Sequence, residues 1–399
     1  MRILVLDEEF PFPPNTGKRI RSFNLLSRLA ARNELYYLAY GTDDSPGYAA
    51  LKEHNMNPMP VKPQIPPKSG PLFYIRLLLN LISPLPYIVS SHYSDLYARL
   101  LRRAIADLEP DIIICEWTPY AVFVEKIHDV KRLVVAHNVE TRIWQRYYEN
   151  ERQALKRWYI GKQVVKLERF ERRVYKYIDG VTAVSDIDAD QIHSFNHQVP
   201  VEIVDNGVDL EYFDAPGGLK KSNKLVFVGT MDWRPNQDCV RYFVDDILPL
   251  IRKERPEIEA VFVGRNPPAA IIALGEREGV TVTGSVDDVR PYIEEGDVYI
   301  VPLRIGGGTR LKILDALAMR SAVVSTSVGA EGLDLTDGEN IMIADTPERF
   351  AAKVLRLIDD GDLNRSLGES GRKLVEEKYG WDSLAAKLES FIIRLVGAK

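Results

Sequence analysis

The segment from Gly306 to Asp315 has the residue types of a phosphate-binding loop. Its glycines let backbone N–H groups approach a ligand, and the helix that follows begins with unpaired donors and positive partial charge. Arg310 and Lys312 fall in the first helical turn, where an anion would offset their unfavourable place on the helix dipole. A surface turn with two solvated charges is the alternative. The candidate ligand-binding residues here are Gly306, Gly307, Gly308, Thr309, Arg310, Leu311, Lys312 and Asp315.

Two candidates in the first half each follow an apolar run. Gly17 lies in the loop Asn15–Arg19 after the run Arg2–Leu6, and it either faces the same phosphate from another domain or only makes a turn. The loop lacks the first glycine and the hydroxyl of a Walker motif. His137 directly follows Leu133–Ala136, and ligands bind at the carboxyl ends of strands in open α/β sheets. A single histidine is more often structural than catalytic, but this placement favours a functional role.

The elements that position these residues form one repeated pattern. Short apolar runs alternate with helix-length amphipathic stretches, which predicts an α/β fold with parallel sheets and crossover helices. The predicted strands of the first half are Arg2–Leu6, Leu35–Ala39, Ile112–Cys115, Leu133–Ala136, Val181–Val184 and Val201–Val204. Those of the second half are Leu225–Val228, Ala260–Val263, Val280–Thr283, Val298–Val301 and Ala322–Ser325.

A turn-rich, charge-flanked segment separates the two groups of strands. It predicts a first domain over 1–208, a linker over 209–222 and a second domain over 223–380. A final helix over 381–399 packs on either half, and we expect it on the first.

Composition limits the class of protein. The net charge of −5 creates no field that would attract nucleic acid, so we expect no nucleic-acid partner. Cys115, Cys239 and the histidines show no metal-ligand spacing, so we expect buried thiols and no metal. The first apolar run is too short for a signal peptide, and the apolar stretch Leu72–Val89 is too interrupted for a membrane-spanning helix. We expect a cytoplasmic protein.

Several short motifs spread over nearly the whole chain are specific in combination. They are Val184-Ser185-Asp186, Asn206-Gly-Val-Asp209, Phe227-Val-Gly-Thr-Met-Asp-Trp233 with Pro235-Asn236, Gly284-Ser-Val-Asp-Asp-Val289, Gly306 to Asp315, and Val323-Val-Ser-Thr-Ser-Val-Gly-Ala-Glu-Gly332. Together they resemble the retaining glycosyltransferases of family 4. The resemblance implies a GT-B fold, in which two Rossmann-like domains face each other across a cleft and the C-terminal domain holds most of a nucleotide-diphosphate-sugar donor.

The resemblance also implies donor contacts. The family commonly has two glutamates eight residues apart, the first near the donor sugar and the second near the ribose; here these positions are Gly307 and Asp315. Loss of the first glutamate leaves the sugar hydroxyls without their usual partner. Base recognition falls near Gly284 and Val286, largely through backbone and shape.

The phosphate contacts depart from the family in a second way. Many relatives place an arginine and a lysine after the first strand of the second domain, where this chain has Thr230, next to Gly229, and Asn236. We hypothesise that Arg310 and Lys312 supply the missing charge, because the leaving diphosphate must be stabilised without a metal.

Among the residues that the resemblance implicates, His137 matches the histidine beside the donor sugar. In the retaining mechanism usually considered, the departing phosphate oxygen helps to deprotonate the acceptor hydroxyl on the same face, so no carboxylate pair is needed. His137 would orient the sugar. Glu140 is a weaker candidate, for contact with the acceptor.

The acceptor implied by the resemblance is a glycan or a lipid-linked molecule, in polysaccharide biosynthesis. Arg142 to Lys176 holds eleven basic and four acidic residues interleaved with aromatic ones. The range 142–177, with 72–89, is either a surface for peripheral contact with the inner face of a membrane or a solvated helix face.

Two other functions stay open. Sugar-nucleotide 2-epimerases share the architecture, but they need carboxylates around the sugar, which Gly307 does not favour. A catalytically degenerate binding or scaffold subunit would explain the missing charges, but the glycine loop, Asp315 and His137 argue against it.

Overall fold

The computed structural model describes residues 1–62, 70–151, 153–305 and 311–397. The chain divides into two compact units: Met1–Asp205 with Leu384–Lys399 form the first, and Asn206–Ser383 form the second. The segment 209–222 lies within the second unit. There, the guanidinium of Arg372 donates hydrogen bonds to the backbone carbonyls of Leu210 and Phe213.

The first unit is built on a parallel sheet. Its strands are β1 (Arg2–Asp7), β2 (Glu34–Tyr40), β3 (Met56–Val61), β4 (Ile112–Cys115), β5 (Lys131–Val135), β6 (Gly180–Ala183) and β7 (Val201–Ile203). They lie in the order β3-β2-β1-β4-β5-β6-β7. The helices are α1 (Gly17–Ala30), α2 (Pro46–Glu53), α3 (Pro71–Asn80), α4 (Tyr87–Ser90), α5 (Asp95–Leu108), α6 (Glu140–Asn150), α7 (Ala154–Tyr177) and α8 (Asp186–Phe195), with a 3₁₀ turn at Thr118–Phe123.

The second unit repeats this plan. Its strands are β8 (Lys224–Val228), β9 (Glu259–Val263), β10 (Val280–Gly284), β11 (Val298–Val301), β12 (Val323–Ser325) and β13 (Met342–Ile343). They lie in the order β10-β9-β8-β11-β12-β13, all parallel. The helices are α9 (Arg234–Tyr242), α10 (Leu248–Glu254), α11 (Ala269–Ile272), α12 (Arg290–Glu295), α13 (Leu311–Ala318), α14 (Ser327–Ala330), α15 (Pro347–Asp359), α16 (Gly361–Lys378) and α17 (Trp381–Gly397), with short turns at Phe243–Ile247 (π) and Ala273–Glu276 (3₁₀). From Leu384 onward, α17 belongs to the first unit.

The strands form where the sequence is continuously apolar. β4 reads Ile-Ile-Ile-Cys and is completely buried, as expected for a parallel strand covered on both faces by helices. The α/β class and all eleven predicted strands are confirmed, with shifts of one or two residues at some ends. Two strands escape prediction. β3 contains Pro58 and Pro60 and is tolerated at a sheet edge, where no outer neighbour needs its N–H groups; β13 has only two residues.

Each sheet has one switch point, where the chain order reverses between adjacent strands. It lies between β1 and β4 in the first unit and between β8 and β11 in the second. The connections leave such a pair in opposite directions, so a crevice opens at their carboxyl ends. A ligand-binding site is therefore expected among the side chains and loops just after these four strands.

The helices that the structure describes include none with the length and apolar character needed to cross a bilayer.

One close backbone contact in the second unit gives a test of the packing. A Cβ atom on Gly368, inside α16, would lie 2.1 Å from the backbone oxygen of Arg320. Alanine improves helix propensity by about 1 kcal/mol, but such an overlap costs more. We expect Gly368→Ala to lower the free energy of unfolding, measured by urea denaturation, by about 2 kcal/mol net.

Gly361→Ala is the matched control in the same helix. Its Cβ would meet only Leu219, at 3.8 Å. We expect this variant to change stability by less than about 0.5 kcal/mol. Equal effects of the two substitutions would contradict the packing described.

Candidate active site

Three polar side chains stand at the carboxyl edge of the first sheet. Asp7 ends β1, Glu116 directly follows β4, and His137 lies just beyond β5. Because β4 pairs with both β1 and β5, these three positions are neighbours. They lie at the switch point of this unit, where an open α/β sheet binds its ligands.

The imidazole of His137 is held by Glu116. Its Nε2 lies 2.9 Å from the backbone carbonyl oxygen of Glu116 and 3.4 Å from the carboxylate Oε1. Since a carbonyl oxygen can only accept, Nε2 carries the proton and Nδ1 of the neutral ring is an acceptor. Burial lowers the pKa of His137, although Glu116 raises it. The ring is therefore neutral near pH 7 and can accept a hydrogen bond from a hydroxyl group through Nδ1.

Glu116 is a fixed negative charge behind this histidine. Its burial would raise the pKa of the carboxyl, but hydrogen bonds from His137 and Ser22 and the nearby charge of Arg21 bring the pKa below its ordinary value. The Ser22 hydroxyl donates to Oε1 at 2.7 Å. Arg21, on the same helix, also donates to the backbone carbonyl of Val204 at 2.7 Å. The carboxylate thus stays ionised and orients the imidazole.

The second group at this edge surrounds Lys18, in the first turn of α1. Its Nζ lies 2.5 Å from Asp7 Oδ1 and 2.9 Å from Glu8 Oε1. The Tyr37 hydroxyl donates to Asp7 Oδ2 at 2.6 Å. Burial raises the pKa of Asp7 to about 7, although Lys18 and Tyr37 lower it. Burial also disfavours the Lys18 ammonium, but the two carboxylates outweigh this and raise its pKa above the ordinary value.

A ring of aromatic and acidic side chains continues from Lys18. Its Nζ lies 5.5 Å from the centre of the Trp117 ring, and Trp117 Nε1 donates to Glu140 Oε1 at 2.8 Å. The His92 ring packs edge-on against Trp117, with His92 Nε2 3.5 Å from Glu8 Oε2. Burial raises the pKa of Glu140. An indole face flanked by carboxylates and an imidazole is suited to bind a polar, hydroxyl-rich molecule.

Only some of the residues at the carboxyl edge of the first sheet were predicted from the sequence, namely Gly17, His137 and Glu140. Gly17 begins α1, and a Cβ there would meet nothing within 4 Å. The side chains that the sequence does not single out are Asp7, Lys18, His92, Glu116 and Trp117. Two of them, Asp7 and Glu116, are the first polar residues after predicted strands, a pattern that could have marked them.

Three adjacent strands of the second unit reach glycines at their carboxyl ends. Gly229 follows β8, Gly264 follows β9 and Gly284 ends β10. A Cβ on Gly264 would lie 1.8 Å from the backbone oxygen of Gly229, so only glycine permits this close approach. Gly284 has φ +74°, which also favours glycine, and a Cβ there would meet nothing within 4 Å. The edge is therefore open at Gly284 to a ligand that contacts backbone. Gly264 is a glycine of this edge that the sequence does not single out.

Lys312, on α13, reaches the glycine edge. Its Nζ donates to Asn236 Oδ1 at 2.7 Å, lies 4.5 Å from the centre of the Phe227 ring, and would lie 3.1 Å from a Cβ on Gly229. Asn236 Nδ2 in turn donates to the backbone oxygen of Thr230 at 2.8 Å. The structure thus brings Lys312, Gly229 and Thr230 together around one amide side chain.

Asp315 lies one turn further along α13. Burial raises the pKa of its carboxyl to about 7, although the charge of Lys312 lowers it. Burial raises the pKa of the Tyr299 phenol, on β11, and the charge of Asp315 raises it further. A carboxylate and an ammonium therefore stand within electrostatic reach of each other beside the β8–β11 switch point.

The remaining predicted donor residues fall into two groups. Leu311 begins α13 and is partly exposed, and Val286 packs against the core of the second unit. The others lie outside the described residues: Gly306, Gly307, Gly308, Thr309 and Arg310.

Two family models match the chain. Residues 20–212 match the model described as Glycosyltransferase Family 4, and residues 222–360 match Glycosyl transferases group 1. Together they cover most of the sequence, including both strands of the switch point in the second unit.

Individual relatives agree with this assignment. An uncharacterized glycosyltransferase of Methanocaldococcus jannaschii is 26% identical over 240 residues, which are 56% of this chain and 60% of the relative. A GDP-mannose-dependent alpha-(1-6)-phosphatidylinositol monomannoside mannosyltransferase of Mycobacterium tuberculosis is 27% identical over 55% of this chain and 63% of its own. The chain therefore matches less than two thirds of the length of these relatives.

Solved structures share the fold over the full length. HepE of Anabaena, in complex with UDP and glucose, superposes with a TM-score of 0.66 at 13% identity, covering 99% of this chain and 100% of that one. Sucrose-phosphate synthase of Thermosynechococcus elongatus gives a TM-score of 0.68 at 15% identity and covers 100% of both chains. With two Rossmann-like units, a switch point in each and both family models matched, the chain belongs to glycosyltransferase family 4 and has the GT-B fold.

Proposed function

We propose that this glycosyltransferase moves a sugar from a nucleotide-diphosphate-sugar, with retention of anomeric configuration, to a glycan or lipid-linked acceptor. The setting we propose is polysaccharide biosynthesis in the cytoplasm, at the inner face of the membrane. The observation that carries the proposal is the group of Lys312, Asp315 and glycines at the carboxyl edge of the second sheet, where Gly284 leaves backbone open. A cation, a carboxylate and open backbone are the groups that a diphosphate, a ribose and a base require.

The roles within the donor site follow from chemistry and position. Lys312 would face the diphosphate beside Gly229, and Asp315 would accept hydrogen bonds from the ribose hydroxyls. The base would lie against the open backbone at Gly284, next to Val286. The mannosyltransferase relative is named for GDP-mannose and the Anabaena structure contains UDP, so relatives support the donor class without choosing the base.

In the proposed reaction, the bond between the anomeric carbon and the leaving phosphate oxygen breaks, and a bond to the acceptor oxygen forms on the same face. The acceptor proton passes to the departing phosphate oxygen. Neutral His137 would hold a sugar hydroxyl through Nδ1, with its orientation set by Glu116. Lys312 and Arg310 would neutralise the leaving group without a metal ion, so activity should survive chelation with EDTA.

Stereochemistry and acceptor dependence test the proposed reaction. Incubation with a panel of sugar nucleotides should release nucleoside diphosphate, and proton NMR of the product should show the anomeric configuration of the donor. An inverted product would overturn retention. Conversion of the sugar nucleotide without an acceptor would instead favour an epimerase, and no turnover with any donor would favour a binding subunit.

Replacing Lys312 tests the charge compensation. We expect Lys312→Met to lower kcat/KM by a factor of about 10² to 10³, the usual loss for one donor that stabilises developing negative charge. Lys373→Met, at an exposed position on α16, removes the same charge from the same unit and should leave turnover unchanged. Wild-type turnover in both Lys312→Ala and Arg310→Ala would contradict the hypothesis.

Donor binding should depend on pH through Asp315. The carboxyl has a pKa raised to about 7, and only its ionised form accepts from two ribose hydroxyls. Affinity is therefore lost as the pH falls through 7, and binding should be roughly tenfold weaker at pH 6 than at pH 8. Calorimetry with the intact sugar nucleotide, whose diphosphate does not titrate in this range, measures the change. Asp315→Asn should bind more weakly and without this pH dependence; an unchanged pH profile in that variant would assign the dependence to another group.

His137 should affect the reaction more than donor binding. We expect His137→Ala to lower kcat by about 10²-fold or more while a thermal-shift assay still detects the nucleotide. His128→Ala removes an exposed imidazole from the same unit and is the control. Equal loss in both variants would argue for a general effect on folding.

A further inference from the structure

Helix α3 presents an aliphatic face to solvent. Five side chains at helical spacing, counting the turn that follows it, are between 50% and 87% exposed: Leu72, Ile75, Leu78, Leu79 and Ile82. Positions spaced by three and four residues share one face of a helix. Scattered exposed apolar residues are normal on a protein surface, but a contiguous apolar face marks an interaction site.

Helix α7 continues the exposed face. Leu155, Trp158 and Val165 are 79%, 50% and 45% exposed, and Lys162 lies between them at the same helical spacing. The ammonium of Lys162 lies 5.9 Å from the centre of the Trp158 ring. This stripe pairs an indole with a cation, the combination that suits the boundary between headgroups and acyl chains.

Polar contacts join α7 to the end of α3 and to the segment that follows α3. Gln163 Nε2 donates to Asn80 Oδ1 at 2.9 Å, and Gln163 Oε1 accepts from the backbone N–H of Tyr87 at 2.8 Å. Lys166 donates to the backbone carbonyls of Asn80 and Leu81, at the end of α3. The end of α3 therefore lies against the middle of α7. The exposed residues of these two neighbouring helices are called here the α3–α7 surface.

The charge around the α3–α7 surface has one sign. The sequence contains no aspartate or glutamate from His54 to Ser94, nor from Ala154 to Leu167. The second of these stretches contains Lys156, Arg157, Lys162 and Lys166, the first three of which are exposed. Although Lys156 pairs with Glu151 at 2.5 Å, the segment as a whole is cationic.

We propose that the α3–α7 surface docks on an anionic lipid membrane, with the α3 aliphatic side chains entering the acyl boundary and the α7 cations binding the headgroups. The inference deepens the proposed function, because it places the first unit where a lipid-linked acceptor lies. Charge complementarity favours an anionic membrane over a second copy of the chain as the partner of this surface. Two copies related by a two-fold axis would bring like charges together.

Vesicle flotation without donor or acceptor tests the docking directly. Vesicles of phosphatidylcholine with one third phosphatidylglycerol should carry the protein upward at low salt, and vesicles of phosphatidylcholine alone should carry much less. Ile75→Asp with Leu78→Asp should reduce the bound fraction at least about tenfold, because both side chains would enter the apolar boundary. Neutralising Lys156, Arg157 and Lys162 to glutamine should weaken binding to the anionic vesicles by roughly fivefold per charge.

Matched variants in the same unit separate the surface from general effects. Ile393→Asp introduces a charge at a similarly exposed apolar position on α17, and glutamine at Arg99, Arg102 and Arg103 removes three exposed charges from α5. Both controls should float like the wild type. The proposal would be overturned if the controls lost as much flotation as the docking variants, or if the α3 variant floated like the wild type. It would also be overturned if the wild type formed a dimer that the α3 substitutions dissociate while vesicle binding stays unchanged.

Activity on a water-soluble glycan acceptor keeps the two proposals apart. The docking variants should retain it, because they leave both switch points intact. If the protein binds vesicles but transfers no sugar, only the proposed function is contradicted. If it transfers sugar but does not bind vesicles, only the proposed membrane docking is contradicted.

Discussion

The chemistry of this protein is confined by its parallel sheets. Strands covered by helices on both faces are apolar throughout, so charged side chains can reach a ligand only where the strands end. Each sheet has a switch point at which that edge opens, and the polar groups described above lie there. The buried carboxylates Asp7 and Glu116 at the first edge are tolerable because helix α1 brings a donor to each of them, Lys18 to Asp7 and Ser22 to Glu116.

The two edges use their lysines differently. Lys18 donates to two carboxylates, and its neighbour Arg19 pairs with Glu9, so the loop around Gly17 has its cations committed to protein anions. Lys312 donates to the neutral amide of Asn236 and lies within the electrostatic reach of Asp315. A diphosphate competing for Lys18 would have to separate a buried ion pair, so this lysine is poorly placed to bind the donor.

The strands and the residues that follow them were predictable from the sequence, but the contacts between residues of different strands were not. Uninterrupted apolar runs made eleven strands predictable, and His137 was singled out because it directly follows such a run. The contact of His137 with Glu116 joins residues 21 positions apart on neighbouring strands, and local pattern carries no information about it. Gly264 escaped for the same reason, because only its approach to Gly229 requires glycine. The sequence predicted a phosphate contact for Lys312 but could not show that the amide of Asn236 accepts a hydrogen bond from it.

The arrangement of α3 shows how a chain can keep apolar side chains in solvent. An aliphatic helix free to move would collapse onto the nearest apolar surface, since burying each large side chain stabilises by about 1.5–3 kcal/mol. Here Gln163 and Lys166 bind the polar groups at its end, and Lys166 does so although burial lowers the pKa of its ammonium. These contacts orient the helix by hydrogen bonds, which are directional, and leave its aliphatic face outward. The buried charges at the sheet edge and the exposed aliphatic face of α3 thus have the same physical cause. In both places a few directional polar contacts hold a group where the hydrophobic effect alone would not leave it.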